Sequence, residues 1–192
     1  MLSPNLLLSA YAQGVFPMAH DDGQIYWYDP DPRAILPLDG LHIPRRLKQK
    51  MNRKPFDIRI DTAFRAVMRA CAEETDERGS TWIDQNILDS YTHLHQLGFA
   101  HSVEAWEDGQ LVGGLYGVSL RGLFAGESMF HRSTDASKIC LVHLVNHMRA
   151  HGFTLLDVQF QTNHLSRFGV TEIPQAEYKS RLAAALEIEA TF

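Results

Sequence analysis

The sequence is short of the features that staple or anchor a chain. Two cysteines in 192 residues, Cys71 and Cys140, cannot build a disulfide framework, and no Cys-x-x-Cys pair suggests a zinc ribbon. Apolar runs are short, Leu6-Leu7-Leu8 being typical, and none approaches the roughly 20 residues that span a bilayer. The opening MLSPNLLLSAYAQGVFP has no basic n-region and no cleavage site of small residues, so it does not read as a signal peptide. The expectation is a soluble protein of the reducing cytoplasm with no membrane partner. An overall excess of positive charge is also missing. The net charge of −5 excludes a chain that coats polyanions with its whole surface. Hydrophobic residues at 45% against 21% charged exclude wholesale disorder. The length suits one domain with a small annex.

What is present is unevenly distributed. Seven of the eight prolines fall in the first 60 residues, and seven bases (Arg45, Arg46, Lys48, Lys50, Arg53, Lys54 and Arg59) crowd one segment against the single acid Asp57. That island is +6, which leaves −11 for the rest of the chain. It fits phosphate-backbone binding, and without interleaved aromatics it should position a folded RNA or a duplex and not read bases.

Residues 1–60 read as a small irregular subdomain. It holds a helix over 4–12 capped by Ser3 with Pro4 in its first turn, a strand over 24–28, a short helix over 44–51 and a strand over 56–60. Residues 61–192 read as the main domain. Asp61 or Thr62 is expected to cap a helix to residue 72, a loop spans 73–80, and Asp84 caps a helix that Gly98 closes. The period then switches to two, with strands over 100–107, 110–119 and 123–130, and Asp108-Gly109 as a two-residue hairpin turn. A helix over 135–150, a strand over 154–161, a short helix near 164–168 and a last helix over 175–186 follow. This α+β order of helix, three-strand meander, helix, strand and helix is that of acyltransferases with the GNAT fold, an analogy of topology.

The chemistry signals are mostly negative. The turn before the 135–150 helix, His131-Arg132-Ser133-Thr134-Asp135-Ala136-Ser137-Lys138, has no glycine to let backbone approach the pyrophosphate of acetyl-CoA, although Ser133, Ser137 and Lys138 suit a single phosphate, with helix capping by Ser133, Thr134 or Asp135 as the alternative. His143, His147 and His151 share a helix stripe, but successive turns rise about 5.4 Å, so three cannot reach one ion. Gly126-Glu127-Ser128-Met129-Phe130 fails the nucleophile-elbow pattern at its last position. Two features remain. Glu127 is an acid within an apolar strand, and Asp157 with Gln159 should project from one face of another by period two. Buried carboxylates need partners, so an acid in each of two strands expected in the central sheet suggests a polar pocket, with structural acids as the competing account.

Taken together, these residues resemble the leucyl/phenylalanyl-tRNA–protein transferase family. The motifs are Gly14-Val15-Phe16-Pro17, Trp27-Tyr28-Asp29-Pro30-Asp31-Pro32-Arg33-Ala34, Thr81-Trp82-Ile83, His101-Ser102-Val103-Glu104, Leu111-Val112-Gly113-Gly114-Leu115-Tyr116-Gly117-Val118, Gly126-Glu127-Ser128-Met129-Phe130, Ala136-Ser137-Lys138, Asp157-Val158-Gln159, Phe168-Gly169 and Glu172-Ile173-Pro174. Met18 stands where such chains commonly carry an aromatic residue.

The resemblance implies a small N-terminal domain packed on a GNAT-like mixed-sheet C-terminal domain, with no metal and no cofactor. It implies transfer of Leu, Phe or Met from aminoacyl-tRNA to the N-terminal Arg or Lys of acceptor proteins by a monomer, creating a degradation signal. By resemblance, Asp157 orients Gln159, Gln159 contacts the attacking amine or the developing oxyanion, and Glu127 holds the acceptor's cationic end. Trp82 forms part of the adenosine site, and Leu115, Phe124, Met129, Leu141 and Leu144 line the aminoacyl pocket. Arg45, Arg46, Lys48 and Lys50, with Ser137 and Lys138, serve tRNA. The alternatives are a non-catalytic tRNA-binding module and a small-molecule N-acyltransferase of the GNAT class.

Overall fold

The computed structural model describes residues 1–20, 22–74 and 81–192. In chain order it contains α1 (Pro4–Ala12), β1 (Phe16–Ala19), β2 (Ile25–Tyr28), β3 (Arg33–Ile35), α2 (Arg45–Asn52), β4 (Asp57–Ile60), α3 (Phe64–Ala72), α4 (Gln85–Gln96), β5 (Ala100–Glu107), β6 (Gln110–Leu120), β7 (Leu123–His131), α5 (Ala136–Ala150), β8 (Leu155–Gln159), β9 (Thr171–Ile173) and α6 (Gln175–Leu186). The expected short helix near 164–168 is a 3-10 turn, Leu165–Phe168. Of the loop expected over 73–80, residues 75–80 lie outside the described residues.

Local chemistry sets most boundaries. Ser3 accepts from Leu6 N at the start of α1, and Asp84 accepts from Ile87 N at 2.7 Å at the start of α4. Asp108 and Gly109 both take positive φ, as a two-residue hairpin turn between right-twisted strands requires. Neither Asp61 nor Thr62 caps α3. Its first residue before the helix is Ala63, whose N–H donates to the buried carboxylate of Glu104 at 2.7 Å. Asp61 instead turns back, accepting from Ser102 N at 2.8 Å and bonding His101 Nδ1 at 2.7 Å. A cap reached from a neighbouring strand leaves no trace in the helix's own sequence.

Seven strands form one mixed sheet in the order β4-β5-β6-β7-β8-β3-β9, with β1 and β2 as a separate hairpin. The sheet thus takes strands from both sides of residue 60. β7 and β8 are parallel and every other pairing is antiparallel. One face carries α5 and Leu47 of α2, in a core with Leu115, Phe124, Leu141, Leu144 and Leu156. The opposite face carries α1, α3 and α4, in a core with Tyr11, Tyr91, Tyr116 and Ala125, and α6 covers the β8–β3–β9 end through Tyr178 and Leu182.

The sheet is interrupted where β7 leaves β8. Their pairing runs Leu123↔Leu155, Phe124↔Leu156, Ala125↔Asp157 and then stops, although both strands continue. At the same level the β6–β7 register jumps from Gly117↔Gly126 to Tyr116↔Ser128, so Glu127 is the extra residue of a bulge. A Cβ on Gly117 would stand 2.3 Å from Ala125 O, so only glycine lets β6 follow β7 there. Val158 is likewise skipped between Ala34↔Gln159 and Ile35↔Asp157. Two irregular, diverging strands open a gap in an otherwise continuous sheet.

Candidate active site

A cavity of about 550 Å³ occupies that gap. It passes from one face of the sheet to the other, because its walls come from both cores. Leu115, Leu141, Leu144 and Leu156 belong to the α5 side, while Phe16, Met18, Tyr116 and Trp82 belong to the α1 side. Glu127, Met129, Val158 and Gln159 lie where the two meet, and His131, Ser137, Thr162 and His164 form a polar rim.

Glu127 and Gln159 are joined directly. Gln159 Nε2 donates to Glu127 Oε1 at 2.9 Å, and Tyr11 OH donates to the same oxygen at 2.7 Å. Tyr11 has only one proton to give, so the short contact with Tyr91 OH is a donation from Tyr91. Glu127 Oε2 is buried and has no protein partner. Burial pushes the Glu127 carboxyl up to about 8, with the Asp157 charge adding to the rise and the donors Tyr11 and Gln159 and the Arg33 charge opposing it. Burial also lowers His164, helped by Lys138, His131 and Arg167 nearby.

Asp157 does not reach the cavity. It is fully buried on the face opposite Leu156 and Val158, where Arg33 grips it through Nε at 2.9 Å and Nη2 at 2.6 Å and Tyr178 OH donates at 2.8 Å. The expectation that Asp157 and Gln159 share a face fails because Gln159 has φ +65°, which breaks the strand alternation and turns Gln159 into the cavity. Asp157 Oδ1 accepts from the Gln159 backbone N–H at 2.9 Å and so holds that turn.

The other expected site residues divide. Leu115, Met129, Leu141, Leu144, Trp82 and Ser137 line the cavity. Phe124 does not; it is fully buried and stacks on Phe192 at 5.2 Å, since its strand position points it beneath α5 and not into the gap. Lys138 is turned to Asp135 at 2.5 Å, away from the cavity lining. Arg45, Arg46 and Lys48 are exposed on α2, whose Leu47 anchors it to the core. Lys50 is committed to Thr134 O at 2.5 Å, which ties α2 to the turn before Ser137. His147 and His151 stack at 4.0 Å, and among the described residues no three His, Cys, Asp or Glu side chains form a metal-binding group. Arg33, Tyr11, Tyr91 and Tyr178 had no assigned part in the sequence reading. Arg33 stood in a quoted motif, and only the tertiary fold shows what it meets.

An apolar chamber ending on a carboxylate and a carboxamide suits a small apolar group carrying a polar, reactive end. Comparison with known proteins gives that group its class. The family model for leucyl/phenylalanyl-tRNA protein transferase matches residues 35–183, and the model for the N-terminal domain of the same family matches residues 1–31. A leucyl/phenylalanyl-tRNA–protein transferase of Herpetosiphon aurantiacus is 59% identical over 192 residues, covering all of this chain and 98% of that protein. One from Paramagnetospirillum magneticum is 55% identical over 193 residues, covering all of this chain and 92% of that protein. The class is therefore that of the aminoacyltransferases. The chain belongs to the leucyl/phenylalanyl-tRNA–protein transferase family, enzymes that move aminoacyl groups from tRNA to proteins.

Proposed function

We propose that the chain transfers Leu, Phe or Met from aminoacyl-tRNA to the N-terminal Arg or Lys of acceptor proteins, creating a degradation signal at the new N-terminus. The observation that carries this reading is a cavity whose apolar walls meet the side chain of Glu127, a carboxylate with one buried oxygen unpartnered. Leu115, Met129, Leu141, Leu144, Leu156 and Val158 offer apolar contact and no polar partner for an amino-acid side chain. Trp82 and Phe16, at the α1 side, offer faces for the terminal adenine. The exposed bases of α2 serve the tRNA backbone.

In the reaction the acceptor's α-amine attacks the ester carbonyl carbon. A C–N bond forms, the C–O bond to the terminal ribose breaks, the amine releases a proton and the ribose oxygen gains one. The ester arrives activated, so positioning and proton removal supply most of the acceleration. Gln159 Nε2 is occupied by Glu127, which leaves its amide oxygen to accept from the attacking amine. Glu127 Oε2 receives the guanidinium or ammonium of the acceptor's first side chain, and that charge brings the raised carboxyl to its ionised form.

The test incubates the protein with leucyl-, phenylalanyl-, methionyl- and aspartyl-tRNA and peptides beginning with Arg, Lys or Gly. The expected product is a peptide one Leu, Phe or Met longer, formed on Arg and Lys only. Equal transfer to the Gly peptide, or transfer of Asp, contradicts the reading.

A further inference from the structure

Arg33 is the one buried base among the described residues, at 1% exposure. Its guanidinium is used on every side. Nε and Nη2 take the two oxygens of Asp157, Nη1 donates to Gly14 O at 2.8 Å, and Cζ lies over the rings of Tyr178 at 4.4 Å and Phe16 at 4.9 Å. Asp157 is equally saturated. Oδ1 accepts from Arg33 Nε and Gln159 N, and Oδ2 from Arg33 Nη2 and Tyr178 OH, so no lone pair is left for a substrate.

From this arrangement we infer that Arg33, with Tyr178, is a positioning residue of the transfer reaction: it locks the Asp157 carboxylate, which in turn holds the left-handed backbone of Gln159 and aims its side chain at the reacting centre. The inference rests on the assignment of Gln159 to that centre.

Stability alone is a poor reason for the arrangement. Burying two charges costs several kcal/mol before their attraction is counted, and an apolar pair of similar volume often does as well. What an apolar pair cannot do is present a fixed acceptor to the Gln159 N–H, the one backbone donor whose placement decides where the amide points. Two separate segments meet at this carboxylate, β3 through Arg33 and α6 through Tyr178, and the turn after α1 fixes the guanidinium through Gly14 O. Phe16, stacked on the guanidinium, is itself a cavity wall, so the same cation fixes a second part of the site. Lysine cannot replace the fork, because a single ammonium does not bridge both oxygens and Gly14 O in one plane.

The experiment compares full-length wild type, Arg33→Lys, Tyr178→Phe and Gln159→Ala with phenylalanyl-tRNA and an Arg-initial peptide. Arg33→Lys should lose kcat by about tenfold or more, since a displacement near 1 Å at a reacting group costs up to about 100-fold, while its Kd for aminoacyl-tRNA stays within about twofold of wild type. A second readout separates positioning from general damage. Arg33→Met removes a charge that favours ionised Glu127, and Asp157→Asn removes one that opposes it, so the ionisation seen in the pH–rate profile should move up in the first and down in the second. If the Arg33 variants do not fold, Tyr178→Phe deletes one of four bonds to Asp157 and should still lower kcat with KM unchanged. A folded Arg33→Lys or Tyr178→Phe with wild-type kcat beside an inactive Gln159→Ala overturns this inference alone. Wild-type kcat in Gln159→Ala overturns it together with the assignment of Gln159.

Discussion

Gln159 and Glu127 meet through one hydrogen bond, from Gln159 Nε2 to Glu127 Oε1 at 2.9 Å, across two parallel strands that have stopped pairing two residues earlier. The bond divides the labour of the site. It uses the amide's donor and one carboxylate oxygen, and it leaves Glu127 Oε2 buried without a partner in a residue of the cavity wall. An unpartnered carboxylate oxygen beside an apolar chamber suits a cation.

Glu127 should trade stability for that role. Its folded carboxyl sits at about 8 against an ordinary 4.5, so between those values the folded protein holds a proton that the unfolded chain releases. Stability is therefore undiminished by this group below pH 4.5 and declines as pH rises through the window. Glu127→Gln should be more stable than wild type at pH 8 by on the order of 2–4 kcal/mol, and nearly equal to it at pH 4.5. Urea denaturation at the two pH values measures this. An equal difference at both would show that burial does not perturb the group.

Reversing Arg45, Arg46 and Lys48 together should weaken aminoacyl-tRNA binding and flatten its dependence on salt, because each phosphate contact releases counterions. Lys50, already bonded to Thr134 O, should contribute less than the other three. Binding isotherms at several salt concentrations test both statements. An aminoacyl-adenosine without the tRNA body should react with the variant as with wild type; equal damage to both substrates places the docking surface elsewhere.

Amino-acid choice should follow the cavity lining. Met129→Ala enlarges the chamber and should shift preference toward Phe over Leu in competition between charged tRNAs. Phe124→Leu should cost about 1–2 kcal/mol of stability and leave the preference unchanged, because the ring lies in the core against Phe192. A changed preference in the second variant would return Phe124 to the pocket wall.

Glu104 is fully buried and accepts from Thr62 OH, Ala63 N, Ser102 OH and Trp106 Nε1. Glu104→Gln turns one acceptor into a donor facing donors, and should cost about 2–4 kcal/mol in thermal unfolding. Transfer by the folded variant should be unaffected, since Glu104 does not line the cavity.

The helices and the meander were legible because period, caps and turn residues all act within a few positions. Ser3, Asp84 and Asp108-Gly109 each do locally what their sequence context says. The strands β1, β3 and β9 were not legible, since three or four residues beside prolines carry no periodic signal. β3 matters most, because it brings Arg33 into the sheet to meet an acid 124 positions later. The apolar lining of Leu115, Met129, Leu141 and Leu144 came from the family resemblance and not from periodicity, and the same resemblance named Phe124, whose ring points to the core. The positive φ of Gln159 was hidden for a different reason. A non-glycine residue is held there by Asp157 and not by its own preference, so strand alternation gave the wrong face for Asp157 and the right neighbourhood for both.

The central claim is that Glu127 reads a positive charge on the acceptor's first side chain. Its most direct test measures transfer of Phe from phenylalanyl-tRNA to two peptides that differ only in beginning with Arg or with citrulline, the uncharged counterpart of nearly equal shape. Wild type should favour the Arg peptide strongly in kcat/KM, and Glu127→Gln should lose most of that preference. Equal rates on the two peptides in wild type, or an undiminished preference in Glu127→Gln, would contradict the account.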